Sequence, residues 1–449
     1  MENIQIKRHM SSFQIIILSF LCVIAAGTIL LMLPCATQSG EGASLMDALF
    51  TSTSAACVTG LVVQNTVTYW SFFGQVVILI LIQIGGMGVI TMGVLLAVVS
   101  GRKIGLMQRS TMSDAIGAPQ VGGIVRLTNF IILMTVVIEI AGAVLMFPVF
   151  SRDFGPLKGI WYALWHSVSA FCNAGFDLLG GRTPYASLTD YADNPLIILT
   201  ISALIIIGGI GFYTWSDIRE HGRHLKRYRL QSKVILVTTA VLLIVPTLVF
   251  YGSDMMNGAF AGAGTGEKFL YAFFQSVTTR TAGFNSIDLT LMKESSLMLM
   301  IILMLVGGSP GSTAGGFKTT TLAVLLASAK SVFMRDKGVN IFGRRVMEET
   351  GRSAAAILMM YLTLMSSSAI IISIIEELPI LPCLFETASA IGTVGLSLGL
   401  TGSLGTVSHL ILVVLMYCGR VGGLTIIFAA VRNTRNYLAQ LPPEKITVG

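Results

Sequence analysis

Charge is what this chain of 449 residues has least of. Only 11% of the residues are Asp, Glu, Lys or Arg, against 54% hydrophobic. A water-facing surface normally requires about a quarter of the residues to be charged, so a soluble enzyme or carrier is excluded and lipid becomes the expected solvent. Long polar stretches are also missing, so no separate soluble domain is encoded. A nucleic-acid role would need a soluble basic face, and the chain has none. Cysteine is sparse: Cys22, Cys35, Cys57, Cys172, Cys383 and Cys418 form no C-x-x-C pair. Neither a disulfide framework nor a zinc site is indicated. His166 and His409 stand in different parts of the chain without a matching nucleophile or base, which leaves an intramembrane enzyme without machinery.

What is abundant is apolar sequence of spanning length. Runs cover Phe13 to Leu33, Phe72 to Val99, Phe130 to Phe150, Leu196 to Trp215, Val234 to Phe250, Ala354 to Ile375 and His409 to Val431. Each has about the 20 residues a helix needs to cross hydrocarbon. The first run has no small-residue cleavage site and is read as a retained span. Basic residues cluster in alternate loops. Arg102, Lys103, Arg109 and Arg126 make one set, and Arg219, Arg223, Lys226, Arg227, Arg229 and Lys233 the next. The third is Lys330, Arg335, Lys337, Arg344, Arg345 and Arg352. The loops between carry Asp177, Asp190, Asp193, Asp254 and Glu267 instead. The positive-inside rule makes the basic set cytoplasmic. Lys7 and Arg8 at one end and Arg432 and Arg435 at the other put both termini on that side too.

Four short segments resemble one another. They are Ala48 to Leu61, Ala163 to Phe176, Ala272 to Phe284 and Leu384 to Leu396. Each reads as a short half-apolar helix, then small or β-branched residues, then Gly and Phe or Leu. The glycines, Gly60, Gly175, Gly283 and Gly395, follow at intervals of 115, 108 and 112 residues, so four such units account for almost the whole chain. A helix of roughly a dozen residues spans only about 18 Å and cannot cross. These helices must enter and turn back, and irregular backbone at membrane depth survives only where protein or water covers it. The fold class expected is therefore an all-α membrane protein: four pseudo-repeated helix–pore-loop–helix units, with eight spanning helices around a central pore. The expected units are 10–100, 101–217, 218–335 and 336–432, with a cytoplasmic tail 433–449.

A cation entering a narrow pore loses water and needs replacement oxygens, which rings of backbone carbonyls supply. Turning carbonyls inward favours conformations that glycine reaches cheaply. The candidate ion ligands are thus the turns Val58-Thr59-Gly60, Asn173-Ala174-Gly175, Thr281-Ala282-Gly283 and Thr393-Val394-Gly395. The negative C-terminal ends of the short helices would face the same centre.

These segments resemble the selectivity-filter loops of the Trk/Ktr/HKT superfamily of potassium transporters, across the whole chain and in all four units. The fit is nearest to membrane subunits of the Ktr type (KtrB), whose plan has no extra N-terminal helices. The resemblance implies channel-like potassium uptake, and glycine in the first loop goes with potassium preference, where serine goes with sodium. It implies no cofactor bound by this chain, potassium as substrate, and leaves open sodium as an activator. It further implies a homodimer, the tail ending at Val448-Gly449 near the subunit interface. A cytosolic nucleotide-binding regulatory ring (KtrA-like) would be the partner, and the location a cell membrane.

The last expected element is a gate. Gly307-Gly308-Ser309-Pro310-Gly311-Ser312-Thr313-Ala314-Gly315-Gly316 interrupts an apolar helix of the third unit. A nucleotide-binding loop is the competing reading, but Phe317 stands where a Walker motif needs Gly before Lys318. The segment resembles the family's intramembrane gating loop. By the same resemblance Arg420 bonds loop carbonyls and holds the closed state. Lys318 faces an inner vestibule or snorkels to the cytoplasm, and both stay open. Arg280 is expected to brace the third turn, Glu139 to be paired structurally, and Asp47 and Glu386 to cap or brace short helices. A coupled secondary transporter and a purely structural membrane subunit remain as rivals.

Overall fold

A computed structural model describes residues 11–89, 91, 123–181, 183–256, 259–336, 338–423 and 425. Among the described residues four helices are long and apolar enough to cross a membrane: α1 (Ser12–Leu31), α4 (Ile124–Phe154), α8 (Leu230–Phe250) and α12 (Glu348–Glu376). Ser11 and Gln14 close a capping box at the start of α1. These helices turn apolar side chains outward. Leu133, Val137 and Val144 on α4 are exposed, as are Val237, Val241 and Leu248 on α8 and Met359, Ile370 and Ile374 on α12. Such a surface is stable against lipid and costly against water.

Each long helix is followed by a short one: α2 (Leu45–Ala56), α5 (Pro156–Phe171), α9 (Thr265–Thr278) and α13 (Ile380–Gly392). They are the innermost helices, and the side chains of Phe50, Trp165, Phe274 and Phe385 on them are inaccessible to solvent. In three cases a serine hydroxyl ties the short helix to its long partner. Ser52 Oγ donates to Ile24 O at 2.8 Å, Ser167 Oγ to Glu139 O at 2.5 Å and Ser276 Oγ to Leu243 O at 2.8 Å. The fourth differs, because Thr387 Oγ1 bonds back within its own helix to Cys383 O at 2.9 Å.

A third helix completes each unit: α3 (Phe72–Met87), α6 (Pro195–Ile210), α10 (Glu294–Leu305) and α14 (Thr406–Val421). Of 12 to 16 residues, each reaches only about 18–24 Å. The sequence suggested an interruption in the third unit alone. The structure instead ends α3, α6 and α14 at Gly88, Gly211 and Gly422, each with positive φ. One turn before each break the helix passes close to a short one. A Cβ at Gly85, Gly208 or Gly419 would run into the carbonyl oxygen of Ala56, Phe171 or Ile391 respectively, at the end of a short helix. The third helix must pass there bare, and it breaks one turn later. After Gly211 the chain continues as α7 (Phe212–His221), bent 93° away from α6. Beyond α10 lie a loop and α11 (Thr319–Phe333), then a hairpin of β1 (Asn340–Ile341) and β2 (Arg344–Arg345), antiparallel with Asn340 opposite Arg345.

Lys7, Arg8, Arg102, Lys103, Arg109, Lys337, Arg432, Arg435 and the tail 433–449 lie outside the described residues. So does the boundary expected between the first and second units.

Candidate ion-conduction site

The inner ends of α2, α5, α9 and α13 lead into four similar turns. Val58, Asn173, Thr281 and Thr393 adopt left-handed φ of 57°, 60°, 64° and 50°. The glycines two residues on, Gly60, Gly175, Gly283 and Gly395, have φ of 90°, 68°, 77° and 94°. Alternating hand along a short stretch turns successive carbonyls to one side, and the positive φ at its end is cheap only for glycine. Backbone bonds hold each turn to its helix: Thr59 N–H to Ser54 O at 2.8 Å, Ala174 N–H to Ser169 O at 2.7 Å, Ala282 N–H to Thr278 O at 3.0 Å and Val394 N–H to Ser389 O at 2.8 Å.

The same four residues contribute their hydroxyls. Ser54 Oγ accepts from Gly60 N–H at 3.1 Å and Ser389 Oγ from Gly395 N–H at 3.0 Å. Ser169 Oγ donates to Phe176 O at 2.7 Å, and Thr278 Oγ1 to Phe284 O at 2.6 Å. Sequence reading missed this set. The signal was present as a hydroxyl six residues before the glycine in three turns and five before it in the third, which is one residue shorter.

The turns form a closed ring. The missing Cβ of Gly60 points at Ala174 O, that of Gly175 at Ala282 O, that of Gly283 at Val394 O and that of Gly395 at Thr59 O. Each glycine thus faces the carbonyl preceding the next glycine, and the order returns to its start. On one side the ring opens into a cavity of about 640 Å³, which Asp177 and Asp288 also line. Asp177 lies in the loop beyond the spanning helices and accepts from Leu179 N–H at 2.9 Å. Burial pushes its carboxyl up to about 6, against the pull of the backbone N–H groups of Leu179 and Gly180.

Residues 307–316 lie on the other side of the ring. The loop leaves and returns through a narrow neck, where Gly307 N–H bonds Phe317 O at 2.9 Å. Gly315 lies against the Thr393 side chain of the fourth turn. Three backbone bonds join the loop to the break between α6 and α7: Ser309 N–H to Gly209 O at 3.0 Å, Thr313 N–H to Gly208 O at 3.3 Å, and Phe212 N–H to Gly311 O at 2.8 Å. Gly308 O accepts from Thr319 N–H at 3.2 Å. Arg420 donates to Thr313 O and Gly85 O, and to Gly86 O at 3.2 Å. No carboxylate pairs with Arg420 among the described residues. Of the two placements open for Lys318, the structure has Nζ turned into the loop, donating to Ala314 O at 2.8 Å and Gly315 O at 3.3 Å. Beneath lies a cavity of about 290 Å³, lined by Pro310, Ser312 and Gly316 with both cationic side chains.

The other candidates stand apart from this axis. Arg280 reaches Thr239 Oγ1 on α8 at 3.4 Å. Glu139 accepts from Gln83 Nε2 at 3.4 Å, with Cys172 Sγ nearby. Glu386 accepts from the hydroxyls of Ser397 and, at 3.1 Å, Thr401, so it holds the chain that follows the fourth turn. Asp47 sits in the first turn of α2, its N–H capped by Ser44 Oγ at 3.1 Å. His166 and His409 bond the carbonyls of Tyr162 and Thr401, each at 2.7 Å.

Known proteins share this plan. The family model TrkH, described as a cation transport protein, matches residues 2–437. The potassium/sodium uptake protein NtpJ of Enterococcus hirae is 40% identical, over 99% of this chain and 99% of its own length. Ktr system potassium uptake protein B of Bacillus subtilis is 36% identical, over 97% of this chain and 96% of its own. Among solved structures, the potassium transporter TrkH from Vibrio parahaemolyticus has the same fold, with a TM-score of 0.73 at 19% identity over 96% of this chain and 87% of its own. With a family match over nearly the whole length and full-length relatives at this identity, the chain belongs to the TrkH family of cation transport proteins and is a multi-pass membrane protein, not an enzyme.

Proposed function

We propose that this protein conducts potassium into the cell, with the four turns as the selectivity filter and residues 307–316 as the gate beneath it. The closed ring of glycines and neighbouring carbonyls carries the reading. Such a ring offers a dehydrated cation peptide oxygens from all sides, and the helix C-termini behind it add negative potential. The ligands are the carbonyls of Val58, Thr59, Gly60, Asn173, Ala174, Gly175, Thr281, Ala282, Gly283, Thr393, Val394 and Gly395. The loop lies between ring and inner cavity, and Lys318 and Arg420 add two positive charges along the exit. Both raise the barrier to a cation, so the arrangement is that of a closed state.

The chain sits in the cell membrane with both termini cytoplasmic and the 640 Å³ cavity facing outward. A homodimer and a cytosolic nucleotide-binding ring complete the assembly, in keeping with relatives named as one component of a Ktr system. A relative named for both potassium and sodium favours a second reading, coupled transport of the two. The deciding experiment is flux in proteoliposomes holding the purified full chain. Potassium flux well above sodium flux supports the filter, whereas equal flux of both removes it.

A further inference from the structure

The second turn differs from the other three. Where they carry Val58, Thr281 and Thr393, it carries Asn173, the one amide side chain at this position. Both ends of that amide are engaged, and the side chain is buried. Nδ2 lies 3.3 Å from Arg280 O and 3.4 Å from Thr281 Oγ1, both in the third turn. Oδ1 lies 3.4 Å from Thr313 Oγ1, in the loop beneath. The Thr313 hydroxyl has one proton, shared between Oδ1 and, at the shorter distance of 3.0 Å, Phe171 O at the end of the helix that leads into the second turn.

Thr313 itself is inaccessible to solvent and bonded through every polar atom it has. Its N–H bonds Gly208 O, its carbonyl accepts from Arg420, and its hydroxyl lies between Phe171 O and Oδ1 of Asn173 in the second turn. No other residue of the loop touches a filter turn through a side-chain hydrogen bond among the described residues. Movement of the loop therefore has to break the Thr313 hydroxyl contacts, and it frees Oδ1 of the amide that links the second turn to the third. A buried acceptor left without its donor turns toward another, and Asn173 can do so only by rotating away from Arg280 O and Thr281.

We propose that Thr313 is a positioning residue that couples the loop to the filter through Asn173, so that loop position sets ion preference as well as passage. The proposal rests on the reading of the turns as a filter and the loop as a gate. It goes beyond that reading by making discrimination depend on a residue that lines no carbonyl ring. Its chemistry is that of one hydroxyl and one amide, and it operates in one quarter of the ring only.

The test is Thr313→Val against Thr313→Ser in the full-length chain, with potassium and sodium flux measured in matched proteoliposomes. Valine keeps the shape and both backbone bonds and removes only the hydroxyl. Serine keeps the hydroxyl. The potassium-to-sodium ratio is expected to fall about twofold in Thr313→Val, the ratio a net hydrogen bond at the low end of the usual range is worth, and to stay at the wild-type value in Thr313→Ser. Thr313→Cys, which leaves only a weak thiol donor in place of the hydroxyl, is expected to lower the ratio in the same direction. This second variant keeps the test open should Thr313→Val fold poorly. A loss of flux for both ions in proportion, with the ratio unchanged, overturns the coupling and leaves Thr313 merely structural. A wild-type chain that does not discriminate at all overturns the filter reading itself, so the two failures are told apart.

Discussion

Single residues carry the selectivity argument. Gly60 has φ of 90°, and its missing Cβ points into Ala174 O. A side chain there costs about 1–2 kcal/mol for the left-handed backbone alone and pushes a neighbouring carbonyl off the axis. Gly60→Ser is therefore expected to reduce discrimination against sodium while leaving the chain folded. Gly266→Ser is the control, because a Cβ there meets nothing within 4 Å. Competition uptake of the two ions checks it, and an unchanged ratio in Gly60→Ser removes this glycine from the site. Asp177 gives a second prediction at this scale. Its carboxyl titrates near 6 and lines the outer cavity. It is ionised above that value and neutral below, so attraction for cations weakens as external pH falls through about 6. Uptake at limiting potassium should drop across that window in the wild type and show no step in Asp177→Asn. The four glycines of the ring were legible in the sequence because they recur at near-equal intervals. The hydroxyls of Ser54, Ser169, Thr278 and Ser389 were not, because a serine in a short helix reads as an ordinary small residue until the turn it holds is seen.

At the scale of elements, hydropathy located the helices and missed where they break. Runs such as Leu196 to Trp215 look continuous, because Gly211 does not interrupt apolar composition. What ends α6 there is the positive φ of Gly211, a property of backbone in three dimensions that no window average records. The interruption at 307–316 was legible because ten residues, five of them glycine, replace apolar sequence. That loop is tied to the α6–α7 break, to Arg420 and to the Asn173 turn. Deleting residues 311–316 removes the bonds to Gly208, Phe212 and Arg420 together, and with them the mass under the ring. Basal potassium leak in a potassium-starved host is expected to rise. A deletion variant that inserts normally and stays as tight as the wild type would deny the loop a gating part.

Among the described residues four long helices, each with a lipid-facing side, surround four short buried ones, and this repeated plan bears on the proposed choice between a channel-like path and a coupled carrier. In the described residues the ring has contributions from all four units, and only the third inserts a loop beneath it. Alternating access needs two bodies that rock about a fixed central site, whereas here the turns of all four units close on one another and a single loop lies beneath them. On the proposed reading, transport through such a path would be driven by the ion's own gradient and by membrane voltage, with no stoichiometric partner ion. Voltage-driven potassium uptake into proteoliposomes should therefore persist with sodium absent from both sides, at rates that outrun alternating-access turnover by orders of magnitude once the loop is deleted. A strict requirement for sodium that survives loop deletion would place the chain among coupled transporters, because a gate effect disappears with the gate and a coupling stoichiometry does not.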